Sequence, residues 1–418
     1  MPTASAPDVR WRTLFGAVLA VRLLYPFFNS PLLHLFSDPQ RHWDNAALFL
    51  TPNVMGSGDP YLYQLWLFAL RWIAGRNNAA VLAGCGVLCA GMPYGWYRAL
   101  RELLPRGTAL RGGILIGLWP PFLGVYAYFM NETLLLTLTG YAFWLTLRAL
   151  RRRSLGPWTL ACALWVATCF TRTVLLPVAL FALLWAWLLL PRKLYAALLG
   201  LCLAGAIALP AGLHAHAALG YFSPLGNLYL NEIYRHSLKR EIRIDFGAQG
   251  QYIFGSPSYY NPTFYPLSDW TTTRSGTQDI HIDTRNGRQD WRHALALLPP
   301  QGAAQWWTDF GENLCYLLFA QSWPDNDRGT LVGWASVWLR WVFVLIVIAV
   351  AVAALALRRR YAGREWLITL CALLSFGMLM LQHEGIMEGR YRKPIEPIFI
   401  AALLVAWHAR ARAAGRSA

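Results

Sequence analysis

Residues 331–360 read LVGWASVWLRWVFVLIVIAVAVAALALRRR. From Val332 to Leu357 the only ionisable side chain is Arg340. At 1.5 Å per residue, a helix of that length exceeds the roughly 30 Å hydrocarbon core of a bilayer. Arg358, Arg359 and Arg360 then end it abruptly. An apolar span closed by cations on one side is the unit from which the rest of the chain is read.

Nine further stretches repeat it with varying strength: residues 13–35, 78–97, 112–130, 132–148, 154–171, 173–191, 194–213, 366–382 and 394–408. The last is the weakest, because Glu396 and Pro397 interrupt it. Tyr61–Ala74 is apolar and aromatic but short and carries Arg71, so it reads as a helix lying at a membrane interface. Composition agrees with a lipid environment. Of 418 residues 56% are hydrophobic and 14% charged, against about a quarter charged in soluble proteins. Six of the seven cysteines lie inside apolar runs as small hydrophobes, which leaves no disulfide or zinc framework. The N-terminal segment runs into the first apolar stretch without a small-residue cleavage site, so that stretch is expected to be a retained span. The expected fold is all-α, a polytopic bundle of about ten transmembrane helices.

Net charge is +16, from 37 basic and 21 acidic residues. In a membrane protein the distribution of the basic residues sets orientation. Arg10 and Arg12; Arg98, Arg101, Arg106 and Arg111; Arg148 and Arg151 to Arg153; Arg192 and Lys193; Arg358 to Arg360 and Arg364; and Arg410, Arg412 and Arg416 occupy every second connection. That face, with both termini, is expected to be cytoplasmic, and the protein is expected in the plasma (inner) membrane. The opposite face receives a first outer loop, 37–77, within an N-terminal transmembrane module 1–213. It also receives a large loop domain, 214–329, and the last loop of a C-terminal module 330–418. Residues 301–321 in the large loop have the pattern of a surface-lying amphipathic helix.

Ionisable residues at membrane depth are costly and mark function by default. On the outer face they gather in four places. In FSDPQRHWDNAALF, Asp38 leaves the first span, followed by Arg41 and Asp44 at positions that can share a helical face. A helix N-cap and a carboxylate that removes a proton from an alcohol are both consistent with Asp38. Glu132 opens the fourth span and Arg172 the sixth; for Glu132 an ordinary favourable charge at a helix N-terminus is an equal reading. HEGIMEGRYRKP puts Arg390, Arg392 and Lys393 on the face that is otherwise poor in cations. The break in the chain's own charge pattern favours a bound anion such as a lipid phosphate over headgroup contact alone. Arg22 reads as snorkelling or structural, and His214, His216, His281 and His293 as surface residues.

An acid after the first span, a Glu opening the fourth, a Thr-Arg turn before the sixth and Gly-Arg-Tyr-Arg-Lys-Pro before the last together resemble the GT-C superfamily of integral-membrane glycosyltransferases. The nearest likeness is to bacterial members similar to protein O-mannosyltransferases and to the lipid A aminoarabinose transferase. GSGDPYLYQLW resembles the interfacial helix of that family's first loop, and QSWPDNDRG the end of its later outer region. The resemblance implies a polyprenyl-phosphate sugar donor and a lipid, glycan or protein acceptor. It implies Asp38 as the catalytic aspartate, with Arg41, Asp44 and Glu132 supporting it. Arg390, Arg392, Lys393 and Arg172 would bind the lipid phosphate. Pro39 stands where relatives often have a second acid, so Asp44 or Glu132 would supply that role. No cofactor is required; a divalent metal at Asp38 and Asp44 is chemically admissible. Two other readings make different predictions. An O-antigen ligase or polymerase would work through Arg285, His281 or His293, and a lipid-linked sugar flippase would need a polar cavity at mid-membrane.

Overall fold

The computed structural model describes residues 6–236, 241–254, 277–298, 302–319, 331–381 and 389–414. The chain is predominantly α-helical. In order it forms α1 (Ala6–Phe28), α2 (Ser37–Ala47), α3 (Val54–Ser57), α4 (Tyr61–Ala74), α5 (Asn78–Arg101), α6 (Arg106–Leu118), α7 (Pro120–Gly124), α8 (Asn131–Arg152) and α9 (Leu155–Thr171). There follow α10 (Leu176–Leu188), α11 (Lys193–Leu219), α12 (Leu228–His236), β1 (Glu241–Asp245), β2 (Gln251–Phe254), β3 (Thr277–His281), α13 (Arg288–Ala296), α14 (Ala303–Phe319), α15 (Leu331–Ala356), α16 (Gly363–Leu381) and α17 (Glu396–Ala414).

The described part of each of the ten apolar stretches lies mainly on helix. Among the described residues six helices are long and apolar enough to cross a membrane: Val9–Leu33, Asn78–Arg101, Asn131–Arg152, Lys193–Leu219, Leu331–Ala356 and Gly363–Met380. They mark the protein as an integral membrane protein. The other four stretches fall short for visible reasons. α6 and α7 are bent by 60° at Trp119–Pro120, where Pro120 and Pro121 remove two successive helix donors. α9 is too short, and so is Thr173–Leu188, which contains α10. α17 is 19 residues long, with Pro397 in its first turn, where a missing N–H costs nothing, but Glu396 opens it and His408, Arg410 and Arg412 make its last part polar.

Arg22 does not snorkel. It is 1% exposed and donates from Nε to Cys89 O (2.7 Å), from Nη1 to Gly117 O (2.8 Å) and from Nη2 to Phe122 O (3.0 Å). The carbonyls of Cys89 and Gly117 lack their helical donors because Pro93 and Pro121 stand four residues on. One guanidinium on α1 therefore closes the backbone gaps that two prolines open in α5 and at the α6–α7 bend.

Close helix packing does the rest. A Cβ on Gly140 of α8 would sit 2.9 Å from the Trp96 backbone nitrogen of α5, so only glycine permits that approach. The basic ends of the helices lie together: Arg151 of α8 pairs with Glu102 after α5 (3.0 Å), Arg364 of α16 donates to Glu102 O (3.1 Å), and Arg412 of α17 pairs with Glu365 of α16.

At the far end sits a small unit with its own core of Leu219, Ile233, Ile242, Ile244, Ile280 and Trp291. Its sheet has the order β2-β1-β3, with β1 antiparallel to β2 and parallel to β3. Val54 of the first loop belongs to this core, and Tyr252 Oη of β2 donates to Met55 O. The first loop and the large loop are thereby one packed body. α4 has the bounds expected from sequence, and α14 covers most of 301–321.

Candidate active site

The site begins with the backbone at Ser37, whose φ of 47° turns the chain sharply into α2. Asp38 does not cap that helix. The cap position is Phe36, without a side-chain cap bond, and Asp38 lies inside the first turn. Its carboxylate is engaged by two guanidinium groups instead. Arg41 Nη1 donates to Oδ1 at 2.6 Å, and Arg390 Nη1 donates to Oδ2 at 2.9 Å from 352 positions further along the chain. Burial works to raise the Asp38 carboxyl, but Arg41 and Arg390 outweigh it and hold it well below the usual carboxylate range.

Arg41 is itself held from behind, its Nε donating to Asp59 Oδ1 at 3.0 Å. Asn45 Nδ2 (2.8 Å) and Gln64 Nε2 (3.2 Å) reach Asp59 Oδ2, and His42 Nδ1 lies 3.1 Å from Oδ1. Burial pushes the Asp59 carboxyl up, but Arg41, His42 and these hydrogen bonds bring it down to about 2.

Asp44 is placed elsewhere, exposed on α2. At about 100° per residue, six positions carry it roughly 120° around the helix from Asp38, whereas three, four and seven positions bring Arg41, His42 and Asn45 back to one side. The shared face expected for Asp44 belongs to Asn45, and the second acid at the site is Asp59. Asp44→Asn is therefore expected to leave stability within about 0.5 kcal/mol of wild type, as surface changes usually do. Thermal unfolding of matched protein amounts checks this.

Glu132, in the first turn of α8, is fully buried and ion-paired with Arg172 at the end of α9. The Arg172 guanidinium lies 4.3 Å from the Tyr391 ring centroid, and that of Arg390 lies 5.4 Å from the same ring. Tyr391 thus spaces two cations at one wall. Gly389–Arg392 is a 3₁₀ turn, which rotates successive side chains by about 120°. Arg392 consequently points away from Arg390. It is 2% exposed and bonds Glu396 (2.9 Å) and the carbonyls of Leu317 and Leu318 (3.2 and 3.3 Å), tying α14 to α17. Lys393 is 1% exposed and lies within electrostatic range of Glu132. Of the four cations expected to bind a lipid phosphate, Arg390 and Arg172 line the cavity and Arg392 and Lys393 do not.

That cavity is open and about 200 Å³ in volume. Asp38, Arg41, Glu132, Arg172 and Arg390 line it together with His42, Asp59 and Tyr391, and the turn Pro224–Asn227 from the large loop forms a further wall. The turn is held by Tyr221 Oη donating to Asn227 Oδ1 at 2.9 Å. Asp59 and His42 were absent from the sequence reading. The available signal was the Asp-Pro pair opening the apolar helix in GSGDPYLYQLW.

The residues of the ligase-like reading do not reach this cavity. Arg285 pairs with Asp283 (2.7 Å) and His281 with Asp245 (3.2 Å), both at exposed positions. His214 is half-buried, stacked on Phe49 with ring centroids 4.8 Å apart, rather than a surface residue. Residues 321–329 and His383, Glu384 and Glu388 lie outside the described residues. Among the described residues no three His, Cys, Asp or Glu side chains come together as metal ligands, and the pair named for a divalent ion, Asp38 and Asp44, is split, with Asp38 lining the cavity and Asp44 exposed on another side of α2. The chain matches no protein-family model and no curated protein.

Proposed function

We propose that this chain is an inverting glycosyltransferase of the GT-C kind, moving a sugar from a polyprenyl-phosphate donor to a hydroxyl acceptor on a lipid, glycan or protein. The membrane-crossing helices, six by length and apolarity among the described residues, carry the site at the outer face, opposite the basic helix ends. The observation that carries this reading is the pairing of Asp38 with Arg390 in one open cavity, at the end of the bundle remote from the Arg-rich connections. A carboxylate and a set of guanidinium groups at a membrane boundary fit the two charges that such a reaction develops.

The acceptor hydroxyl is a weak nucleophile. As its oxygen bonds to the anomeric carbon, its proton becomes acidic and passes to Asp38, while the bond from that carbon to the phosphate oxygen breaks. A carboxylate with low proton affinity suits a transfer that comes late in bond formation. The departing lipid phosphate carries the electron pair, and Arg390 and Arg172 stabilise its charge. Each guanidinium presents five N–H groups, so Arg390 can serve Asp38 and a phosphate oxygen together. One carboxylate acting on the acceptor, with no covalent sugar-enzyme species, gives inversion.

The test is transfer from radiolabelled polyprenyl-phosphate hexoses by the full-length protein in proteoliposomes, with anomeric configuration read on the product. Arg390→Gln is expected to raise the KM for donor by about 10- to 100-fold, the value of a lost charge-assisted hydrogen bond. Retention of configuration, or unchanged donor dependence in Arg390→Gln, would overturn the mechanism.

A further inference from the structure

The carboxylate of Asp59 does not share the exposure of Asp38. Its side chain is 0% exposed, against 20% for Asp38. Four side chains point at it, Arg41, His42 and Asn45 from α2 and Gln64 from α4, so both oxygens are fully engaged. Tyr252 closes the same region from the large loop, since a Cβ on Gly58 would sit 3.2 Å from its hydroxyl. Burying an anion this deeply is expensive unless its partners are fixed. Here the fixed partner is the inner edge of Arg41.

A guanidinium is planar and rigid. When Nε is held by Asp59, the direction of Nη1 is determined, and Nη1 is the atom that donates to Asp38 Oδ1. With Oδ1 fixed, Asp38 Oδ2 is left on the side of Arg390 and the cavity. We infer that Asp59 is a positioning residue, which sets the orientation of the Asp38 carboxylate through Arg41. Its carboxylate oxygens are buried against these side chains, so it acts through Arg41. As a statement about transfer the inference rests on the glycosyltransferase reading; as a statement about Asp38 it does not.

The experiment therefore has two readouts on the full-length protein. The first is modification of Asp38 by a water-soluble carbodiimide with glycine ethyl ester, quantified by peptide mass. Pairing protects a carboxylate from this reagent. Asp59→Asn and Arg41→Gln are each expected to raise Asp38 labelling several-fold, and the double variant is expected to label no more than Arg41→Gln, because both changes act on one link. The second is kcat for transfer, expected to fall by roughly 10²-fold in Asp59→Asn, the order of loss from misplacing a reacting group by about 1 Å. The KM for donor should stay within about threefold, and Asp59→Glu should recover part of kcat.

Additive effects of the two substitutions, or wild-type labelling in Asp59→Asn, would overturn the inference. So would a loss of kcat that tracks the amount of folded protein. If Asp59→Asn does not fold, the same labelling measured on Asp59→Glu decides, with protection between wild type and Arg41→Gln as the supporting result and wild-type protection as the opposing one. Absence of transfer in the wild-type protein with coupled labelling intact would sink the proposed reaction while leaving the positioning link standing.

Discussion

Under the proposed reaction, Asp38→Asn is expected to lower sugar transfer by about 10²- to 10⁴-fold, the range for loss of a general base. The substitution is nearly isosteric, so the acceptor pocket keeps its shape. What disappears is the negative charge proposed to take the proton. Two cations, Arg41 and Arg390, lose the anion between them, but the cavity is open to solvent and Asp59 still compensates Arg41. Folded yield and thermal midpoint should therefore change little. The measurement is the initial rate at saturating donor for monodisperse protein. More than about a tenth of wild-type activity would show that another group accepts the proton.

The largest effect on stability is expected at Arg22→Met. This replaces a buried guanidinium by an apolar chain of similar length and leaves three carbonyls, those of Cys89, Gly117 and Phe122, without the donor each now has. Every unsatisfied buried group costs about 1–3 kcal/mol, so the sum is upward of about 3 kcal/mol. Lipid offers no substitute donor. The consequence should be a thermal midpoint lower by on the order of 10 °C, or failure to recover folded protein. Arg22→Lys should fall between, because one ammonium cannot span three acceptors. A midpoint for Arg22→Met within about 2 °C of wild type would mean that the prolines' carbonyls find partners without it.

Much of this molecule is written in single segments. α15 is a helix because its run of apolar residues leaves backbone hydrogen bonding with no other solution in lipid, and it ends at three arginines that hydrocarbon does not dissolve. α4 matches its expected bounds because Pro60 opens it and Gly75, with φ of 56°, closes it. The charged clusters at the ends of spans were legible for the same reason, since cost at membrane depth belongs to each residue alone.

The identity of the working partners was not legible. Asp44 and Asp59 are both acids in the same loop, and only the rotation of α2 and its packing on α4 turn one outward and enclose the other. Arg390 and Arg392 are two positions apart, and a 3₁₀ turn sends one to Asp38 and the other to Glu396. Two of the three carbonyl partners of Arg22 are open because prolines on distant segments stand four residues on. The sequence by itself determined where helices run and which ends carry charge, since length, apolarity and the cost of a charge in hydrocarbon are properties of one segment. Only the tertiary structure decided which charges meet, because an ion pair needs a particular rotation of two helices and contact between residues hundreds of positions apart.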